Sequence, residues 1–240
     1  HRDLHSFPTR RSSDLQEDHM NKFITIAGNI GAGKSTLVYM LSQRLRWEPF
    51  FEPEANNPYL ADFYKNMSEW GFHSQVYFLS HRLRVYNELT KCKSSVMLDR
   101  SLYEDAEIFA HNLYKRGIMN KRDYETYESL YQSLVSFLPA PDLMIYLRAS
   151  TDTLIKRIQK RGREYEKTIS TEYLSQLNES YEAWIARFSV CPVLIIPSDN
   201  LDFVSMPKHM DLIHKKVEEM IAGKDEVIFL PEEYRTGNPL

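Results

Sequence analysis

Cysteine and glycine are scarce in this 240-residue chain, with two and eight residues respectively. Two thiols, Cys92 and Cys191, cannot build a disulfide framework, and neither stands at metal-ligand spacing from a histidine. No apolar run approaches the ~20 residues needed to span a bilayer. The longest, such as 143–147 and 227–230, have strand length. A cationic excess is missing too: 30 Lys and Arg against 33 Asp and Glu leave a formal charge of −3. That excludes a broad basic footprint for polymeric nucleic acid. What is present, 42% apolar and 26% charged residues, is globular composition rather than a disordered or low-complexity chain. At this size folding buries roughly 70–75% of the unfolded surface, enough for a core and a closable cleft. The composition reads as that of a cytosolic protein without a membrane partner.

Residues 1–15 (HRDLHSFPTRRSSDL) carry no helical or strand period and no apolar segment of a secretory signal. Asp3 and Asp14 count against a transit peptide. The stretch resembles translated adapter sequence joined to a reading frame, so the native start is expected near Met20. Residues 1–19 are taken as a non-native or disordered leader, 20–222 as one domain, and 223–240 as a C-terminal tail holding a small apolar patch.

From Asn21 onward short apolar runs alternate with longer periodic segments. Strands are expected over 23–27, 48–51, 95–99, 142–148 and 192–197. Helices are expected over 34–46, 58–66, 70–91, 103–116, 122–138, 151–161, 170–187 and 207–221. Continuous apolar strands separated by helices argue for an α/β fold, a five-stranded, mostly parallel sheet with helices on both faces.

The segment Gly28-Asn-Ile-Gly-Ala-Gly-Lys-Ser35 fits G-x-x-x-x-G-K-[ST] and sits between a strand and a helix. Glycines let the backbone wrap phosphate oxygens, and successive N–H groups and the helix N-terminus point at the anion. Lys34 would reach the β- and γ-phosphates and Ser35 a Mg²⁺ ion. Val96-Met-Leu-Asp99 ends a strand in an acid at the carboxyl edge, where such sheets bind ligands and where an acid helps hold Mg²⁺. Glu52, followed by Pro53, is biased away from helix at the same edge, and a carboxylate there can take a hydroxyl proton as phosphate transfers. Arg157, Arg161 and Arg163 crowd the end of one helix, with Gly162 as a hinge. Three guanidiniums there can neutralise a transferring phosphate, forming a short Arg-rich lid over 161–167 expected to be mobile without nucleotide. His81 and His111 read as ordinary helix residues.

Gly28–Ser35, Phe51-Glu52-Pro53, Trp70-Gly-Phe-His-Ser-Gln75, Asp99-Arg100-Ser101, Asp105 and Arg161-Gly162-Arg163 resemble, in order and spacing, the deoxynucleoside kinase family. The resemblance covers 22–215 and points within the family to the bacterial deoxyadenosine/deoxycytidine and deoxyguanosine kinases. It implies a P-loop kinase fold, transfer from ATP with Mg²⁺ to the 5′-hydroxyl of a deoxynucleoside, and usually a homodimer. It assigns ATP to Gly28, Asn29, Ile30, Gly31, Ala32, Gly33, Lys34, Ser35 and Thr36, to Arg157, Arg161 and Arg163, and to Asp202 and Phe203. Mg²⁺ falls to Ser35 and Asp99, the general base to Glu52, and the arginine at the reacting phosphate to Arg100. Asp99 stands where animal members have Glu. Tyr64 and Glu166 match the pair on the sugar 3′-hydroxyl, Gln75 the base-reading amide with Arg82 and Asp105 beside it, and Phe109 an aromatic stacked on the base. Asn57 stands where animal members place Trp.

A Gln amide offers one donor and one acceptor, complementary to the pairing edges of adenine and cytosine. An ionised Asp105 only accepts, which favours a base with an exocyclic amino group, directly or through Arg82. Thymidine is therefore the expected poor substrate. Two other readings compete. A nucleoside monophosphate kinase of thymidylate type needs basic groups for the substrate's own phosphate, yet Phe51 stands where thymidylate kinases place Arg. A non-catalytic nucleotide-binding protein, such as the respiratory complex I subunit of this superfamily, is disfavoured by intact Lys34, Ser35, Glu52 and Arg100.

Overall fold

The computed structural model describes residues 21–51, 57–224 and 227–234. The expected leader over 1–19 and the expected base Glu52 lie outside the described residues. Strands β1 (Phe23–Ala27), β2 (Glu48–Phe50), β3 (Val96–Asp99), β4 (Leu143–Arg148) and β5 (Val193–Pro197) form one sheet in the order β2-β3-β1-β4-β5. Every pairing is parallel. The five apolar runs expected to be strands are these five. β1 and β3 are buried throughout, and β4 is buried up to its final Arg148, so the central strands are covered on both faces. β1 has β3 on one side and β4 on the other, with connections leaving in opposite directions. The turn after β1 is therefore at the switch point where open parallel sheets receive ligands.

The helices are α1 (Lys34–Leu45), α2 (Leu60–Lys65), α3 (Met67–Leu89), α4 (Leu102–Glu104), α5 (His111–Lys115), α6 (Lys121–Val135), α7 (Thr151–Arg161), α8 (Thr171–Ile185), α9 (Pro207–Ile221) and α10 (Pro231–Tyr234). Side chains of Asn66, Ser101, Asn120, Ser150 and Ser170 accept the backbone N–H three residues on, so each fixes where a helix begins. The Asn66 cap starts α3 three residues before the Trp70 expected from apolar period alone.

The regular helix expected over 103–116 is corrected. α4 runs into a π-helical segment, Asp105–Ala110, before α5 resumes the α pitch. Such wide turns are rare and concentrate at functional sites. This one carries Asp105 and Phe109.

The main core surrounds the sheet. A second cluster, Leu60, Phe63, Leu113 and Met119, ties α2 to the α5 region and so fixes the far wall of a cavity described below. In the tail Val227 and Phe229 pack on the main core, and Lys216 pairs with Glu233 of α10 at 2.8 Å.

Candidate active site

The glycine-rich turn joins β1 to α1. Gly31 holds φ at +82°, and a Cβ there would lie 2.9 Å from Ile158 Cγ1 and 3.0 Å from the Leu154 carbonyl, so a side chain would push α7 off the loop. Gly33, at φ +101°, is the N-cap of α1. The loop is braced from two sides. Asn29 Nδ2 donates to Leu174 O at 3.0 Å and to Asn178 Oδ1 at 2.7 Å, binding it to α8. Arg157 donates to Ala32 O at 2.9 Å, and to Ser198 Oγ and O at 2.8 and 2.7 Å, binding it to the end of β5. Arg157, expected on the nucleotide, lines the cavity beside the loop and bonds one loop carbonyl and Ser198, and burial lowers its pKa from the ordinary arginine value. Lys34 is buried, with its ammonium 3.1 Å from Asn29 O. Ser35 Oγ donates to Asp99 Oδ2 at 2.5 Å, bringing together the two residues expected at Mg²⁺.

Two cavities meet at this loop. The larger, about 1380 Å³, is walled by Gly31, Gly33, Thr36, Arg157, Arg161, Asp202 and Phe203, among others. Asp202 accepts the N–H groups of Val204 and Ser205 at 3.1 and 2.9 Å, which hold its carboxyl below the usual range. A Cβ on Gly33 would lie 3.4 Å from Phe203 Cζ, so this ring closes over the loop. Arg163 does not line this cavity. It donates to Glu166 at 3.4 Å instead.

The smaller cavity opens on the other side of the loop. Six residues expected at the substrate share its wall: Tyr64, Gln75, Arg100, Asp105, Phe109 and Glu166. Ile30, expected on the nucleotide, also faces this side. Arg82 stands behind the wall, donating to Asp105 Oδ2 and to Asp99 O, both at 3.1 Å. Arg100 Cζ lies 4.4 Å above the Phe109 ring. Gln75 is 3% exposed, and its Oε1 has no hydrogen-bond partner among the described residues. Burial, with Tyr173 and Glu166 nearby, pushes the Tyr64 hydroxyl well above the ordinary tyrosine pKa, so it stays a neutral donor. The Tyr165 ring lies nearly parallel to Tyr64, 6.1 Å between centroids. Asn57 is not on the wall: its side chain holds Ser74 Oγ and the N–H of Tyr59.

Besides wall residues such as Tyr165 and Tyr173, two buried residues behind the site go beyond the sequence expectation, Glu104 and Tyr181. Glu104, wholly buried, accepts the N–H of Gly28 at 3.1 Å and of Ser101 at 2.9 Å. Tyr181 joins Glu104 to Arg100. Ser101-x-x-Glu104 is a capping-box spacing that the sequence displays. Tyr181, on α8, has no local signal.

The chain is similar to known proteins over most of its length. The family model described as "Deoxynucleoside kinase" matches residues 24–222. A deoxyadenosine/deoxycytidine kinase of Bacillus subtilis (strain 168) is 36% identical over 211 residues, covering 86% of this chain and 97% of that protein. A deoxyguanosine kinase of the same organism is 36% identical over 205 residues, covering 83% and 98%. A solved deoxyadenosine kinase from M. mycoides, with dCMP and dCDP bound, superposes with a TM-score of 0.74 at 35% identity, covering 82% of this chain and 99% of that one. The same enzyme with bound dATP gives 0.73 at 33% identity, covering 82% and 100%.

Proposed function

The chain belongs to the deoxynucleoside kinase family, and from that premise we propose that it transfers the γ-phosphoryl group of ATP to the 5′-hydroxyl of deoxyadenosine, deoxycytidine or deoxyguanosine in preference to thymidine. It is a phosphotransferase that converts deoxynucleosides to monophosphates. One observation carries the assignment of sites: consecutive residues of the phosphate loop, Ile30 and Gly31, wall different cavities. A donor in the larger cavity and an acceptor in the smaller would therefore meet at that loop.

The triphosphate is received by the loop N–H groups and Lys34, with Arg161 at the side. In the smaller cavity Gln75 reads the base edge and Phe109 supplies a stacking face. Tyr64 donates to, and Glu166 accepts from, the sugar 3′-hydroxyl. Arg100 places positive charge where charge builds on the transferred group. Glu52, assigned from its sequence position two residues after β2, takes the proton of the 5′-hydroxyl. Ser35 and Asp99 form a hard-oxygen donor set in direct contact, which fits Mg²⁺. When bound, that ion would neutralise charge on the β- and γ-phosphates.

The assembly proposed is a cytoplasmic homodimer acting in nucleotide salvage, supported by the family resemblance. Among the described residues no helix is long and apolar enough to cross a membrane. A monophosphate as acceptor is disfavoured because Arg100 is the sole cation among the described residues of the smaller cavity. ADP release measured with the four deoxynucleosides and their monophosphates tests the reading. Turnover with nucleosides is expected; turnover with monophosphates alone, or none with either, overturns it.

A further inference from the structure

Arg100 follows β3 with φ at +67°, a left-handed conformation that a non-glycine residue adopts only when its surroundings hold it there. Its N–H donates to Ile26 O at 3.0 Å, which fixes the backbone. Its guanidinium is fixed separately. One face lies on the Phe109 ring, and Nη1 donates to the Tyr181 hydroxyl at 3.0 Å.

That hydroxyl is a junction. It lies 2.8 Å from Glu104 Oε1 and 2.9 Å from Gly28 O, and its single proton serves one of these while its lone pair accepts from Arg100. Glu104 Oε1 also takes the N–H of Gly28 and sits 3.7 Å from Arg100 Nη1. Both backbone groups of the first loop residue, Gly28, therefore lie within hydrogen-bond distance of the Tyr181–Glu104 pair. Burial and the Glu104 carboxylate raise the Tyr181 pKa well above its ordinary value, so the group works as a neutral hydroxyl throughout any usable pH range.

Packing alone does not call for this hydroxyl. The ring stacks on Tyr146 at 5.7 Å and meets Trp184 edge-on at 6.2 Å, contacts that phenylalanine would keep. What the oxygen adds is a fixed distance between the phosphate loop and the arginine on the wall of the smaller cavity.

We propose that Tyr181 is a positioning residue for phosphoryl transfer: its hydroxyl aims the Arg100 guanidinium and registers it against Gly28. The proposal rests on the reading of Arg100 as the arginine at the transferred phosphate. Its test compares wild type, Tyr181→Phe, Arg100→Lys and the double variant in steady-state kinetics, with ATP titrated separately. Tyr181→Phe is expected to lower kcat by about tenfold or more while KM and Kd for ATP stay within about threefold. In the Arg100→Lys background the second change should lower kcat by no more than about twofold, because the arginine it served is gone.

Wild-type kcat in Tyr181→Phe overturns the proposal. So does a loss that recurs in full on the Arg100→Lys background, since that would mark a scaffold role independent of the arginine. Wild-type kcat in Arg100→Lys would instead overturn the underlying reading of Arg100, and is seen in a different protein. Should Tyr181→Phe fail to fold, Glu104→Gln carries the same expectations for kcat, ATP affinity and the double variant.

Discussion

Arg161 stands on the wall of the larger cavity and donates its Nε–H at 3.0 Å to Glu166, which stands on the wall of the smaller one. An ion pair thus links the walls of the two cavities, and on the proposed function phosphate oxygens of a nucleotide would compete with Glu166 for the same guanidinium. A bound donor would release Glu166 to accept the sugar hydroxyl. Calorimetric titration of a deoxynucleoside should therefore show tighter binding when a non-hydrolysable ATP analogue is present. Couplings of this type run to about 1–3 kcal/mol, or about 5–150-fold in affinity. Arg161→Ala should remove the effect; coupling that survives the substitution would show that it travels by another route.

Ser35 and Asp99 carry the second prediction. Their hydrogen bond joins the start of α1 to the end of β3 at the carboxyl edge of the sheet. Asp99→Asn keeps the shape but withdraws an anionic oxygen ligand from a hard cation. The half-saturating Mg²⁺ concentration in a turnover assay should rise by about tenfold or more, and kcat at saturating metal should fall by about 10²-fold. ATP binding without metal should hardly change. An unaltered Mg²⁺ titration would remove Asp99 from the metal site.

Gln75 gives a prediction in which stability and activity move in opposite directions. Its buried Oε1 has no partner among the described residues, and an unsatisfied buried acceptor costs about 1–3 kcal/mol. Gln75→Leu deletes that acceptor in a wall already rich in apolar and aromatic side chains. The ligand-free melting temperature should hold or rise, while kcat/KM for deoxyadenosine and deoxycytidine falls by about 10²–10³-fold, the scale set by unpaired polar groups on the base. A variant that melts earlier and keeps its kcat/KM would show that the amide serves the fold and not the base.

Much of this was legible in the sequence, for physical reasons that also mark where legibility stopped. FITIA, VMLD and LMIYL read as strands buried on both faces because they lack alternation, and the sheet has them so. The phosphate loop was legible because Gly31 and Gly33 need positive φ, a requirement that composition exposes. The π-helical turn at Asp105–Ala110 was not, since its residues carry an ordinary helical pattern, and the elements it packs against, α3, α6 and α8, are distant in sequence or not marked by it. Tyr181 was equally hidden: it meets Glu104 across 77 positions of chain, and no short-range rule connects them. Arg157 bonds Ala32 and Ser198, carbonyl and hydroxyl acceptors that leave no mark in sequence.

The buried pair Arg82–Asp105 separates what reads the base from what holds the fold. Arg82 is 1% exposed and Asp105 2%, and the arginine reaches across from α3 to the first residue of the π-helical turn. Only Asp105 of the two lies on the cavity wall. Replacing Asp105 by Asn removes one carboxylate from a buried guanidinium, and breaking such a pair costs about 3–5 kcal/mol. Replacing both residues together by apolar side chains of similar volume removes both buried charges and should cost much less than the single change. Base discrimination is not expected to follow that order, because either protein has lost the acceptor-only carboxylate proposed to favour an exocyclic amino group. Urea unfolding should thus rank the double variant above Asp105→Asn, while the ratio of kcat/KM for deoxyadenosine to that for thymidine drops in both. If discrimination returned in the double variant along with stability, Asp105 would be acting on the base only by holding the turn in place.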